Sequence, residues 1–152
     1  MMMMRILRTT TQPKPMIVLN KDTISIEREQ DVVFFRNRVS EYADKIKMGL
    51  VNKTKLLTAA SELVRNMLRY AGGGKVLCEI ISHTTLQTGV RLTFSDKGPG
   101  IDDIDKAMKD GFSTGKSLGL GLPGAKRLVN LFDIKSQKGK GTTVTITKWK
   151  NG

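Results

Sequence analysis

Two polar side chains four residues apart, Glu62 and Asn66, stand in a stretch whose apolar residues recur at helical spacing. Side chains at i and i+4 lie one turn apart on one helix face, so a carboxylate and an amide project side by side. Stepping by about 100° per residue, that face is nearly opposite the apolar stripe Ala60, Val64, Met67 and Ala71. Taken alone, the pair reads as a solvated helix surface. The other reading is a carboxylate and an amide oxygen that jointly hold a hard cation and activate a nucleophile. Arg69, three residues beyond Asn66, can reach a phosphate from the same side.

Three glycine-bearing segments follow. Asp96-Lys97-Gly98-Pro99-Gly100 comes directly after a strand-like run. Such an aspartate can accept a hydrogen bond from an exocyclic amine while glycines let the backbone approach a flat ring. A plain turn has the same composition. Gly119-Leu120-Gly121-Leu122-Pro123-Gly124 fits G-x-G-x-x-G, but a long loop precedes it where a dinucleotide fold requires a strand. What survives is local: small residues leading into a helix start expose unpaired N–H groups that suit phosphate oxygens. Gly115-Lys116-Ser117 imitates the end of a Walker A loop, yet Asp110 stands where its first glycine belongs, so a P-loop is rejected. Gly139-Lys140-Gly141-Thr142-Thr143 reads as a hairpin turn, or as a loop that brings the Thr142 hydroxyl beside the edge addressed by Asp96.

The elements that position these groups are legible as a pattern. Thr23 to Glu27 alternates as a strand. Val32, Phe35, Val39, Ala43 and Ile46 mark a helix ending near Gly49. Asn52 offers an N-cap for a second helix with Leu56, Ala60, Val64, Met67 and Ala71 on its stripe, closed by Gly72-Gly73-Gly74. Strands are expected over 75–83 and 89–95, a helical turn near 103–109, and a third helix over about 122–131 with Pro123 in its first turn. Two last strands span 134–137 and 143–149. The order β-α-α-β-β-loop-α-β-β favours helices packed on one face of a mixed sheet. A long glycine-rich loop in a compact domain is usually functional, often a lid.

A chain of 152 residues has room for one core. Residues 1–15 read as a flexible basic extension, with Met16 as an alternative start, and 16–152 as the domain. No apolar run approaches the ~20 residues needed to span a bilayer. The single cysteine, Cys78, lies in an apolar run and agrees with packing in a reducing, cytoplasmic setting. The net charge of +12 raises nucleic acid as a partner. The cations are scattered, aromatics are 5%, and no nucleic-acid motif occurs, so polyphosphate and acidic protein surfaces are the better partners.

The order of the motifs is more specific than any one of them. Glu62-x-x-x-Asn66, Asp96-x-Gly98-x-Gly100, Gly119-x-Gly121-Leu122 and Gly141-Thr142 resemble the N, G1, G2 and GT boxes of the GHKL (Bergerat-fold) ATPases and kinases, over roughly residues 20–149. The resemblance implies an α/β sandwich: a mixed sheet with helices on one face, and a glycine-rich ATP lid over 102–118. It implies ATP as ligand, Mg²⁺ on Asn66, and the adenine amino group on Asp96. Gly98, Gly100, Ile101 and Thr142 would surround the base. Arg69, Lys116, Gly119, Leu120, Gly121 and Leu122 would attend the phosphates. Gyrase, Hsp90 and MutL relatives need further domains for their work, which the 152 residues of this chain are not expected to hold. Its sole histidine, His83, at a strand end, is a poor phosphoacceptor. Ser61 to Ala71, Gly119 to Leu128, Asp110-Gly111-Phe112-Ser113-Thr114-Gly115 and Thr145 to Trp149 are similar to the bacterial anti-sigma regulatory kinases, most of all the switch-kinase type of the stressosome. The basic tail departs from that pattern. The resemblance implies a cytoplasmic serine/threonine kinase with Glu62 as base, a STAS-domain substrate, and a PP2C-type phosphatase as a further partner. An anti-sigma factor that sequesters a sigma subunit, or a non-kinase ATP-binding module, would carry the same boxes.

Overall fold

A computed structural model of the chain describes residues 4–8, 16–83, 87–109 and 121–152. Its elements run β1 (Met4–Arg8), β2 (Met16–Ile26), α1 (Glu29–Lys45), α2 (Leu50–Ala71), β3 (Gly74–His83), β4 (Thr88–Ser95), α3 (Ile104–Ala107), α4 (Leu122–Leu128), β5 (Leu131–Gln137) and β6 (Gly141–Trp149). The six strands form one sheet in the order β1-β5-β6-β4-β3-β2. Every pairing is antiparallel, so the sheet is not mixed as expected. The connections explain this. β3–β4 and β5–β6 are direct hairpins, and the two successive helices between β2 and β3 return the chain to the end it left.

The period-two pattern of the strands sorts side chains onto two faces. Val76, Cys78 and Ile80, then Val90, Leu92 and Phe94, then Ile134, Val144 and Ile146 point one way and share a core with both long helices. The apolar stripes of α1 and α2 lie on that core; Phe35 meets Phe94 edge-on at 5.8 Å between ring centres. The domain is therefore an α/β sandwich with its helices on one face. On the opposite face Ile81, Leu131 and Trp149 form a small second cluster, and the Arg91 Nε donates to Glu79 at 2.8 Å. His83 packs its ring against Trp149 there. Burial pushes the Cys78 thiol up to about 12, with the Asp22 charge adding to the effect, as suits an inert core thiol.

Local signals set the helix ends. The Asp31 carboxylate accepts from the Glu27 and Arg28 N–H groups at the start of α1. α2 closes where Gly72 turns left-handed (φ 74°) and its N–H reaches the Leu68 carbonyl. The N-cap of α2 is Gly49 and not Asn52. Asn52 lies inside the first turn and donates its side-chain amide to the Lys150 carbonyl, tying the helix to the end of β6. Within the N-terminal extension, Met4–Arg8 forms β1 against β5, where only an irregular basic stretch is expected; the rest of 1–15 lies outside the described residues. Among the described residues no helix is long and apolar enough to cross a membrane.

Candidate functional site

A cavity of about 580 Å³ opens between α2, the end of β4 with its following loop, the start of α4, and β6. That volume lies in the range of about 300–1,000 Å³ usual for small-molecule sites. Four stretches far apart in the chain meet there. Asn66 comes from α2, Asp96 from the end of β4, Gly121 and Leu122 from the head of α4, and Thr142 from β6. Gly100 and Ile101 line it from the loop after Asp96.

Asp96 is held by the strand it caps. Its N–H donates to the Thr142 carbonyl at 3.0 Å, which extends the β4–β6 ladder by one rung. Its Oδ1 accepts from the Gly98 N–H at 2.8 Å and the Thr142 N–H at 3.3 Å. Oδ2 has no partner among the described residues. An acceptor fixed on one oxygen and open on the other, at the wall of a cavity, suits an incoming N–H donor.

The glycines around it are dictated by close approach. A Cβ on Gly98 would sit 2.5 Å from the Ala71 Cβ, so α2 and this loop could not pack as they do. Gly100 has φ +77° and a Cβ there would stand 2.3 Å from the Gln137 carbonyl oxygen. The β5–β6 turn answers from below: the Gly139 N–H donates to the Pro99 carbonyl. Beyond Gly100 the Asp103 carboxylate caps the short helix α3 by accepting from the Lys106 N–H at 3.0 Å.

The remaining sequence candidates fall in three groups. Gly98 packs behind the cavity wall and does not line it. Glu62 is half-buried on α2 one turn before Asn66 and lies outside the lining, and the Arg69 guanidinium sits 5.8 Å above the Tyr70 ring. Lys116, Gly119 and Leu120, with residues 110–118 of the expected lid, lie outside the described residues. Sequence reasoning missed the apolar half of the cavity: Leu63, Met67 and Tyr70 flank Asn66 on α2, and Phe94 and Val144 come from the inner sheet face. The signal was present. Positions 63, 67 and 70 lie three before, one after and four after Asn66, on the border of the core stripe, and an apolar residue beside a functional polar one there serves both core and ligand.

The donor set fits a purine nucleotide accompanied by a hard cation. The apolar part of the lining, with Met67, Phe94 and Val144, suits a flat base, and the open Asp96 Oδ2 suits an exocyclic amine. Among the described residues no group of three or more His, Cys, Asp or Glu side chains could cage a metal. One amide oxygen, from Asn66, matches a cation held chiefly by phosphates and water, as Mg²⁺ commonly is.

Comparison with known proteins agrees with this geometry. Residues 51–151 match the family model described as histidine kinase-, DNA gyrase B- and HSP90-like ATPase. The chain is 39% identical over 130 residues to the serine/threonine-protein kinase RsbT of Bacillus subtilis (strain 168), covering 86% of this chain and 97% of that protein. It is 28% identical over 127 residues to the anti-sigma F factor of Caldanaerobacter subterraneus subsp. tengcongensis, and 29% over 129 residues to that of Thermoanaerobacter sp. (strain X514). Each of those two alignments covers 82% of this chain and 89% of the relative.

Proposed function

Because the chain belongs to the family of histidine kinase-, DNA gyrase B- and HSP90-like ATPases, we propose that it is an ATP-dependent serine/threonine protein kinase acting on a STAS-domain partner in a partner-switching module. The observation that carries the proposal is the convergence of Asn66, Asp96, Gly100, Gly121 and Thr142 on one cavity. A kinase relative matched over nearly its whole length supports the reaction class.

In the proposed complex Asp96 accepts a hydrogen bond from the adenine amino group through Oδ2. Gly98 and Gly100 let the loop lie close to the base. Asn66 would hold Mg²⁺ through its side-chain oxygen, and the ion would supply neutralisation of phosphate charge. Lys116 and backbone N–H groups near Gly119 to Gly124 would stabilise the transferring phosphoryl, and Arg69, which rests over Tyr70 outside the cavity lining, would have to turn to join them. The partner's hydroxyl oxygen attacks the γ-phosphorus, ADP departs, and Glu62 receives the hydroxyl proton. Positioning and electrostatics are the main protein contributions to such a transfer. Glu62 stands one turn from Asn66 on the same helix, which supports its assignment as the base. Once released from its substrate complex, the kinase binds and activates a PP2C-type phosphatase.

Transfer of label from ATP to a STAS-domain protein tests the proposal. Glu62→Gln is expected to keep ATP binding and lose transfer by at least ~10²-fold, the usual cost of a missing general base. Unchanged transfer by that variant removes Glu62 from the role, and absence of transfer by the unaltered protein favours a non-kinase ATP-binding module. The relatives named anti-sigma F factor support a second reading, in which the chain sequesters a sigma subunit. A pull-down with STAS proteins and sigma factors as competing baits separates the two.

A further inference from the structure

Ser136 lies on β5, is fully buried, and belongs to none of the motifs that border the cavity. Its hydroxyl touches three groups. The Ile101 N–H donates to Oγ at 2.9 Å, the Gly141 carbonyl accepts from it at 3.0 Å, and the Thr142 Oγ1 is 2.8 Å away. A serine hydroxyl has one proton and two lone pairs. The Ile101 amide can only donate, and the Gly141 carbonyl can only accept. The serine proton therefore goes to Gly141, one lone pair goes to Ile101, and the other is left for Thr142. Only one assignment satisfies all three contacts: Thr142 is the donor of its pair with Ser136.

The consequence lies on the cavity wall. Thr142 lines the cavity, and with its single proton committed to Ser136 its oxygen offers only lone pairs to a ligand. Beside it, Asp96 offers Oδ2, also an acceptor, while Oδ1 is occupied by the Gly98 and Thr142 N–H groups. Resting on the nucleotide-binding proposal above, we infer that Ser136 is a positioning residue for base specificity: by taking the Thr142 proton it makes this wall accept hydrogen bonds only, which selects a 6-amino purine over a 6-keto purine. An exocyclic amine brings N–H donors to these oxygens. At the 6-position a keto purine brings a carbonyl oxygen instead, which sets acceptor against acceptor. Removing the Ser136 hydroxyl frees the Thr142 proton to turn toward the cavity, where it can donate to a keto group. Asp96 still discriminates, so the preference weakens and is not abolished.

Calorimetric titrations of ATP and of ITP, its 6-keto analogue, into the full chain and its variants test the inference. Ser136→Ala is expected to lower the ratio of ATP to ITP affinity by about tenfold, the worth of one buried hydrogen bond, chiefly through tighter ITP binding. In a Thr142→Val background Ser136→Ala is expected to change the ratio no further, because its effect passes through the Thr142 hydroxyl. A ratio in Ser136→Ala within about twofold of the unaltered protein overturns the inference, since a loss of one hydrogen bond should exceed it. If thermal melting shows the alanine variant unfolded, Ser136→Cys, whose thiol is a weak acceptor, carries the same expectation and the same refutation. Failure of the unaltered protein to bind ATP would instead refute the nucleotide-binding proposal itself.

Discussion

Replacing Asp96 by asparagine separates the role of its two oxygens. In the native chain Oδ1 accepts from the Gly98 and Thr142 N–H groups, and Oδ2 has no partner among the described residues. An asparagine must keep its carbonyl oxygen at the Oδ1 position, because the –NH₂ end would face two N–H donors there. The new amide N–H₂ is thereby forced into the Oδ2 position, turned toward the cavity. The fold keeps its hydrogen bonds, and the melting temperature should change little. Nucleotide binding should change strongly. A hydrogen bond to a charged acceptor is worth roughly 1.5–3 kcal/mol, so its loss lowers ATP affinity by roughly 10- to 150-fold. The clash of an amide donor with the adenine amine adds to that loss. A 6-keto purine, by contrast, now meets a donor, so ITP should lose little or gain. Titration calorimetry with both nucleotides, alongside thermal melts, measures all three quantities. An Asp96→Asn variant that binds ATP as tightly as the native chain would refute the assignment of Oδ2 to the base. A variant that fails to fold would refute the account of Oδ1.

Two further outcomes follow from the same geometry. Gly100→Ala places a Cβ 2.3 Å from the Gln137 carbonyl oxygen in a left-handed backbone. The conformational strain alone costs about 1–2 kcal/mol, or a melting temperature lower by roughly 2–8 °C, and relief of the clash moves the loop that carries Ile101 away from Ser136. ATP binding should weaken together with stability, and an unchanged melt with unchanged binding contradicts the close packing of this loop. At the start of α1, the Glu27 N–H, then that of Arg28, holds the Asp31 carboxyl below its ordinary range. A lowered folded-state value means that its contribution to stability is present above the unfolded carboxylate pKa and lost as pH falls through the folded one. The melting-temperature gap between the native chain and Asp31→Asn should therefore narrow on acidification below about pH 4, and a constant gap contradicts the capping role of Asp31.

The helical stripes and alternating strands were legible because each is a local period that one buried face demands. The stripe of α2 and its glycine stop are examples: Leu56, Ala60, Val64 and Met67 are all buried, and Gly72 adopts the left-handed turn. What escaped was decided by distant partners. Arg5-Ile6-Leu7-Arg8 is too short to declare itself a strand, and becomes one only because the edge of β5 is there to pair with it. Asn52 is a good N-cap residue by type, but its side chain has a better use at the Lys150 carbonyl, and Gly49 starts the helix instead. For the candidate site, the order of the motifs was readable, since Asn66, Asp96, Gly121 and Thr142 do line one cavity. Ser136 was overlooked as a lone hydroxyl in a short strand. Its position two residues beyond Ile134 puts it on the inner face, where a buried hydroxyl must find partners; that parity was the available signal. The separation of Arg69 from the lining could not be read from spacing, because a cation and an adjacent aromatic ring compete with any phosphate for the same side chain.

The central claim is that a single nucleotide bridges α2, the β4 end, the head of α4 and β6. A crystal structure with a non-hydrolysable ATP analogue and Mg²⁺ tests it most directly. The base is expected beside Met67, Phe94 and Val144, its 6-amino group on Asp96 Oδ2, and the metal ion on the Asn66 side-chain oxygen. A nucleotide bound elsewhere, or bound in this cavity with its phosphates against Asp96 and its base toward Gly121, would contradict it.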